Sequence, residues 1–234
     1  MMVNYFCYNG KYSYEYGLIV SGVKTFGSPQ RRVEVLHVSG RNGDILFDEG
    51  TYDNIYVSYD VYITDNFKTK ARDIRGWLLS SGGYHRLTDS YNTSYYRQAT
   101  YFNSLDYDVI DHLMTQGKAT ITFYAMPQRF LTSGETPVTK TASGSITNPT
   151  QFPSRPLIRA YSTGSMTING YTITISSINA YVDIDCDTMQ CYKGTTNCNG
   201  NVTIDEYPVL KSGSNTITLT SVSSIDITPR WWTL

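Results

Sequence analysis

Four Asn-Gly pairs, at residues 9–10, 42–43, 169–170 and 199–200, punctuate the chain. Each is a hairpin signal, because both central residues of the favoured tight turn need positive φ, which asparagine and glycine reach at least cost. The sequence between them alternates. Ile55, Val57, Tyr59, Val61 and Ile63 fall on one face of a strand, with Tyr56, Ser58, Asp60 and Tyr62 on the other. Residues 166–175 straddle Asn169-Gly170 as a hairpin, and the same reading predicts strands at 32–38, 84–88, 96–103, 119–125, 157–161, 181–186, 215–220 and 224–228. A chain punctuated in this way folds mainly as β structure. Residue usage agrees: 21 residues are Tyr, while the good helix formers Lys and Glu are scarce.

One helix is expected within this β pattern. Phe67, Ala71, Ile74 and Leu78 recur at i, i+4, i+7 and i+11; residues 64–66 offer an N-cap, and Gly82-Gly83 lie beyond the end, which places the helix at about 66–80. Its outward residues Lys68, Lys70, Arg72, Asp73 and Arg75 read as a solvated face, with Trp77 available to anchor a partner. Past Pro127 the composition shifts to Thr, Ser, Gly and Pro, and only short strands and turns follow. The expected organisation is an α+β front domain over 1–130, a linker over 131–155 and a β-sandwich over 156–234. At the usual ~150 residues per domain, 234 residues hold one large β domain or two small ones.

Charge excludes a class of partners. The chain carries 19 Lys+Arg against 20 Asp+Glu, and neither half is basic, so no electrostatic footprint for sequence-specific nucleic-acid binding exists. No run reaches the ~18 apolar residues of a membrane span, and the start does not read as a secretion signal. Cys7, Cys186, Cys191 and Cys198 match no zinc spacing and read as free thiols, a 191–198 disulfide being the other possibility.

Little catalytic chemistry is on offer. His37, His85 and His112 each stand alone, and no nucleophile elbow, zinc-type histidine pair or phosphate loop occurs. Asp183, Asp185 and Asp187 alternate along one strand face, a ladder that calcium can bridge but that fails the EF-hand pattern; a solvated strand face is the better reading. No cofactor or metal is expected. Tyr91, Tyr95, Tyr96, Tyr101 and Tyr107 form an aromatic-dense region suited equally to a sugar-binding face and to a subunit interface.

Several motifs in order resemble those of the distal tail proteins of long-tailed bacteriophages, the baseplate hub at the end of the tail tube. They are Ser13 with Tyr16-Gly17-Leu18, the turn Val38-Ser39-Gly40-Arg41-Asn42-Gly43, Trp77-Leu78-Leu79, Leu87-Thr88-Asp89, Tyr95-Tyr96-Arg97-Gln98-Ala99 and Phe123 to Pro127. In the back half come Asn148, Pro153, Pro156-Leu157-Ile158, Ile184-Asp185-Cys186-Asp187, Tyr207-Pro208-Val209-Leu210-Lys211-Ser212-Gly213-Ser214-Asn215 and Pro229-Arg230-Trp231-Trp232. Ser39 stands where the family usually has proline.

The resemblance implies a front domain that closes into a six-fold ring, one ring or two back to back, and a galectin-like back sandwich. Its implied partners are further copies of the chain, the tail tube protein, the tail-tip protein and receptor-binding proteins, at the virion tail tip after assembly in the host cytoplasm. It implies no catalysis and no membrane. Family members that bind sugar themselves tend to carry an extra module, for which 234 residues leave no room. Arg31, Arg32, Glu34 and Arg41, alternating charges in a weakly charged region, are the candidate ring-interface residues; read alone they are exposed strand charges worth ~0 to 1 kcal/mol per pair. The other readings are a carbohydrate-binding β-sandwich module for host surface glycans and, with no motif behind it, a cell-wall hydrolase.

Overall fold

The computed structural model describes residues 4–111 and 113–234, so His112 lies outside the described residues. The chain forms two compact units, 1–129 with Leu234, and 130–233.

The first unit is built from β1 (Phe6–Tyr8), β2 (Lys11–Tyr12), β3 (Ile19–Val20), β4 (Arg31–Leu36), β5 (Ile45–Tyr52), β6 (Ile55–Ile63), α1 (Phe67–Leu79), β7 (His85–Asp89), β8 (Tyr95–Thr100), β9 (Asp108–Val109) and β10 (Gly117–Ala125). Its main sheet runs β2-β1-β7-β8-β10-β6-β3. The backbone of this sheet is the antiparallel pair β6–β10, in register from Ile55↔Ala125 to Ile63↔Gly117. As the alternation requires, Tyr59, Val61 and Ile63 of β6 and Ile121, Phe123 and Ala125 of β10 turn to one face and are buried. Helix α1 contributes Ile74, Trp77 and Leu78 to that same core.

The helix starts without a side-chain cap: Asn66 sits in the left-handed region at φ 48°. Backbone carbonyls meet the first free N–H groups instead, Phe67 N–H reaching Thr115 O at 3.3 Å. Trp77 does not anchor a partner. It is buried, stacks on Tyr16 with centroids 4.4 Å apart and donates from Nε1 to Tyr8 O at 3.3 Å. The apolar stripe of α1 is wide enough to carry the indole inward.

Two of the four Asn-Gly pairs make the expected tight turns. Asn9-Gly10 joins β1 to β2 with φ of 51° and 75°, and Asn169-Gly170 has φ of 52° and 88°. Asn42-Gly43 falls instead in the longer loop between β4 and β5, with only its glycine at positive φ, and Asn199-Gly200 lies in a 3-10 turn. The Asn199 side chain explains the latter: its Oδ1 accepts from Cys191 N–H at 2.6 Å, tying the segment to a neighbouring strand.

The second unit holds β11 (Arg129–Leu131, starting at the last residue of the first unit), β12 (Val138–Lys140), β13 (Gly144–Asn148), β14 (Leu157–Ala160), β15 (Gly164–Ile168), β16 (Tyr171–Ile175), β17 (Val182–Asp185), β18 (Gln190–Lys193), β19 (Thr196–Asn197), β20 (Val202–Ile204), β21 (Gly213–Leu219), β22 (Ile225–Thr228) and β23 (Trp232–Thr233). Two antiparallel sheets, β12-β22-β14-β17-β18-β19 and β13-β21-β15-β16-β20, face each other. Between them lie Ile158, Met166, Ile173, Ile184, Ile217 and Ile227, all fully buried, as befits a sandwich.

The expected linker is a correction. Residues 138–140 and 144–148 pair with β22 and β21 and so belong to the sandwich. Pro137 and Pro149 do not break them, because β12 and β13 are the edge strands of their sheets, where proline beside a strand is tolerated.

Candidate assembly interface

Strands β4 and β5 stand apart from the main sheet as a two-stranded ribbon, paired Leu36↔Ile45, Val35↔Leu46, Glu34↔Phe47 and Val33↔Asp48, with a bulge before Arg31↔Tyr52. Every residue of β4 is exposed. Leu46 is 65% and Phe47 54% exposed, and Val33, Val35 and Leu36 join them. An isolated two-stranded hairpin is at best marginally stable in water, and a patch of large exposed apolar side chains marks a surface that another molecule covers.

Of the four predicted interface residues, two are engaged within the ribbon and its foot. Arg31 Nε donates to both Asp48 oxygens at 2.9 and 2.7 Å, and Arg32 Nε to Asp53 Oδ1 at 2.6 Å. Arg31's hydrogen bonds hold the Asp48 carboxyl below the usual carboxylate range. Glu34 and Arg41 are exposed and make no side-chain ion pair among the described residues. His37, just past β4, is exposed and bonded to Asp44 at 2.9 Å.

At the foot of the ribbon a second feature comes together that the sequence did not reveal. The Lys24 ammonium is buried, ion-paired to Asp89, and 4.0 and 5.0 Å from the ring centroids of Tyr59 and Tyr91. Burial pulls the Lys24 ammonium below its ordinary range, against the pull of Asp89. Asp89 is fully used: it also accepts from Tyr59 Oη at 2.7 Å and from the N–H groups of Tyr91 and Asn92 at 3.1 Å. Arg97, largely buried, donates to the carbonyls of Met126 and Pro127 at 3.3 and 2.7 Å; burial, and then the neighbouring Arg129, pull it down to about 10. These residues come from the segment before the ribbon, from β6, β7, β8 and β11 and from the loop after β7, so no local pattern links them. Only Tyr95-Tyr96-Arg97 stood out as a motif.

The tyrosine-dense region divides. Tyr101 is buried in the core, and Tyr107 packs against it. Tyr95 and Tyr96 each have a guanidinium over the ring, Arg129 at 4.6 Å and Arg86 at 3.9 Å, so those faces are already in use.

In the second unit the acidic ladder becomes two ion pairs. Arg159 clasps Asp183 through Nε and Nη2 at 2.7 and 2.9 Å, and Arg230 clasps Asp185 at 2.7 and 3.0 Å. Asp187 lies beyond the end of β17, exposed, its N–H donating to Asp185 Oδ1 at 3.0 Å. Among the described residues no cluster suited to a metal ion occurs. The thiols of Cys186 and Cys191 are core residues; burial pushes Cys186 up to about 12.

A mainly β chain with one helix and an exposed ribbon in its first unit and a sandwich as its second has the fold of the phage Dit hub proteins. The likeness to the crystal structure of SPP1 Dit (gp 19.1), described as a paradigm of the hub adsorption apparatus in phages infecting Gram-positive hosts, covers 100% of both chains at a TM-score of 0.75 and 17% identity. The structure of the phage p2 baseplate in its activated conformation with Sr matches at a TM-score of 0.52 and 10% identity, over 97% of this chain and 98% of that one. No family model matches the sequence. No curated protein sequence matches it either.

Proposed function

We propose that the chain is a structural baseplate hub of a long-tailed phage, without catalytic activity. Its first unit closes into a hexameric ring continuing the tail tube, and its sandwich holds tail-tip and receptor-binding proteins at the virion tail tip. The observation that carries this reading is the β4–β5 ribbon, whose apolar side chains no described residue of its own chain covers. The end-to-end likeness in fold to SPP1 Dit supports it. A closed ring requires two unlike patches on every copy, and a projecting ribbon is suited to be one of them. Native mass spectrometry at micromolar concentration is the test. Species of six or twelve copies are expected, and a chain that stays monomeric, also with tail partners present, overturns the reading.

A further inference from the structure

The cavity at the foot of the ribbon gathers more positive than negative side chains. Lys24, Arg97 and Arg129 line a space of about 210 Å³ in which Asp89 is the only acidic side chain. Asp89 is committed to Lys24, Tyr59 and two backbone N–H groups, so Arg97 and Arg129, which share the lining with the terminal Leu234, form no ion pair with a carboxylate side chain among the described residues. Uncompensated cations in a half-buried site are costly unless an anion joins them. One wall is apolar and aromatic, formed by Phe26, Ile55 and Val57.

The complement is on the ribbon. Of its acids, Asp44 is bonded to His37 and Asp48 to Arg31, while Glu49 sits in the field of Arg32, which also holds Asp53 at the ribbon's foot. Glu34 alone has no cation partner among the described residues, and its cross-strand neighbour is the exposed Phe47. A carboxylate beside an aromatic ring matches a pair of guanidinium groups beside an apolar wall. At ~3.3 Å per residue, the eight residues of β5 give the ribbon a reach of roughly 25 Å.

We propose that this cavity is a socket for the ribbon of a second copy of this chain, which inserts Glu34 between Arg97 and Arg129 and lays Phe47 on the wall of Phe26, Ile55 and Val57. The inference rests on the ring reading and names the second of the two unlike patches. Its test exchanges charges. Glu34→Arg and Arg129→Glu, each alone, are expected to weaken ring formation at least tenfold in sedimentation or native mass spectrometry, and the double variant to recover it. An independent arm pairs Glu34→Cys with Asn92→Cys, Asn92 being a lining residue: mild oxidation is expected to give a ladder of covalently linked copies that neither single variant gives. Rings that ignore both charge changes, a double variant that does not recover, or no ladder from the cysteine pair overturn the socket, whether the cavity then holds free phosphate or another protein's acid. A wild-type chain that never leaves the monomer overturns the ring itself.

Discussion

Asn169 donates from Nδ2 to Oδ1 of Asn215 at 2.8 Å, joining the turn of the β15–β16 hairpin to the start of β21. Asn215 is fully buried, and its amide is spent in every direction: Oδ1 also accepts from Lys211 N–H at 2.7 Å, and Nδ2 donates to Lys211 O and Gly213 O at 2.8 and 2.9 Å. This is the physical content of the Tyr207 to Asn215 motif, whose last residue organises the loop before it. Asn215→Ala strands several buried donors and acceptors, and about 2 to 4 kcal/mol of stability should be lost. Hydrogen exchange followed by mass spectrometry should place that loss in the second unit, with the first unchanged.

Lys24 and Asp89 should respond unequally to removal. Asp89→Ala leaves a buried ammonium with only ring faces for company and should cost about 3 to 5 kcal/mol. Lys24→Met keeps the volume and leaves Asp89 with the Tyr59 hydroxyl and two N–H groups, so it should cost less. Urea unfolding of both variants checks the order; equal losses would mean that the pair is not the buried anchor described.

Gly117 lies against the Phe67 ring at the start of α1, and a methyl group on it would come well inside van der Waals distance of the ring's Cε2. Gly117→Ala should therefore destabilise the first unit by about 1 to 3 kcal/mol. Combined with Phe67→Leu the loss should be smaller than the two single losses together, because the second change vacates the contested space. Additive losses in denaturant titrations would rule out the contact as the cause.

Acid should weaken the second unit through Asp185. Burial raises this carboxyl, but the hydrogen bonds from Arg230 and the Asp187 N–H outweigh it, and it lies below its ordinary 3.8. The unfolded chain therefore takes up the proton first as pH falls, so stability is present above about 3.8 and is lost as pH falls through the folded value. Wild type and Arg230→Gln should differ most in urea midpoint near pH 6 and converge below pH 3.8. A gap that widens in acid would contradict the assignment.

The ribbon should be dispensable for folding and indispensable for assembly. Val35→Lys with Leu46→Lys, a directly paired set on one ribbon face, should leave thermal unfolding within about 0.5 kcal/mol of wild type, as exposed sites do. The same variant should be monomeric by sedimentation at concentrations where wild type is not.

How far the sequence could be read depended on the range of the interactions. The β6 strand and α1 were legible because period-two and period-3.6 patterns are local properties, and the Asn169-Gly170 turn because its φ demands are met by the two residues themselves. Asn199-Gly200 misled, since a side-chain bond to Cys191 redirected it. The stretch read as a linker became two edge strands, because pairing partners some seventy to ninety residues away decide whether a Thr/Ser/Gly-rich segment is ordered. Arg31, Arg32, Glu34 and Arg41 were found as a cluster of charges, but that the first two are spent inside the chain depends on Asp48 and Asp53, reached only once the ribbon folds back. The Lys24, Arg97 and Arg129 cavity was invisible for the same reason at longer range.

Strands β3 and β6 are antiparallel neighbours, with Ile19 opposite Tyr62 and Val20 opposite Val61. Everything from Ser21 to Asn54 is thus an excursion from the sheet that leaves one strand and returns to its immediate partner. Lengthening, shortening or rewriting the ribbon within it, residues 31–52, disturbs no core register, so the ribbon's contacts and the folding of the sheet are inscribed in separate stretches of one polypeptide. Selection can revise the first without reopening the second.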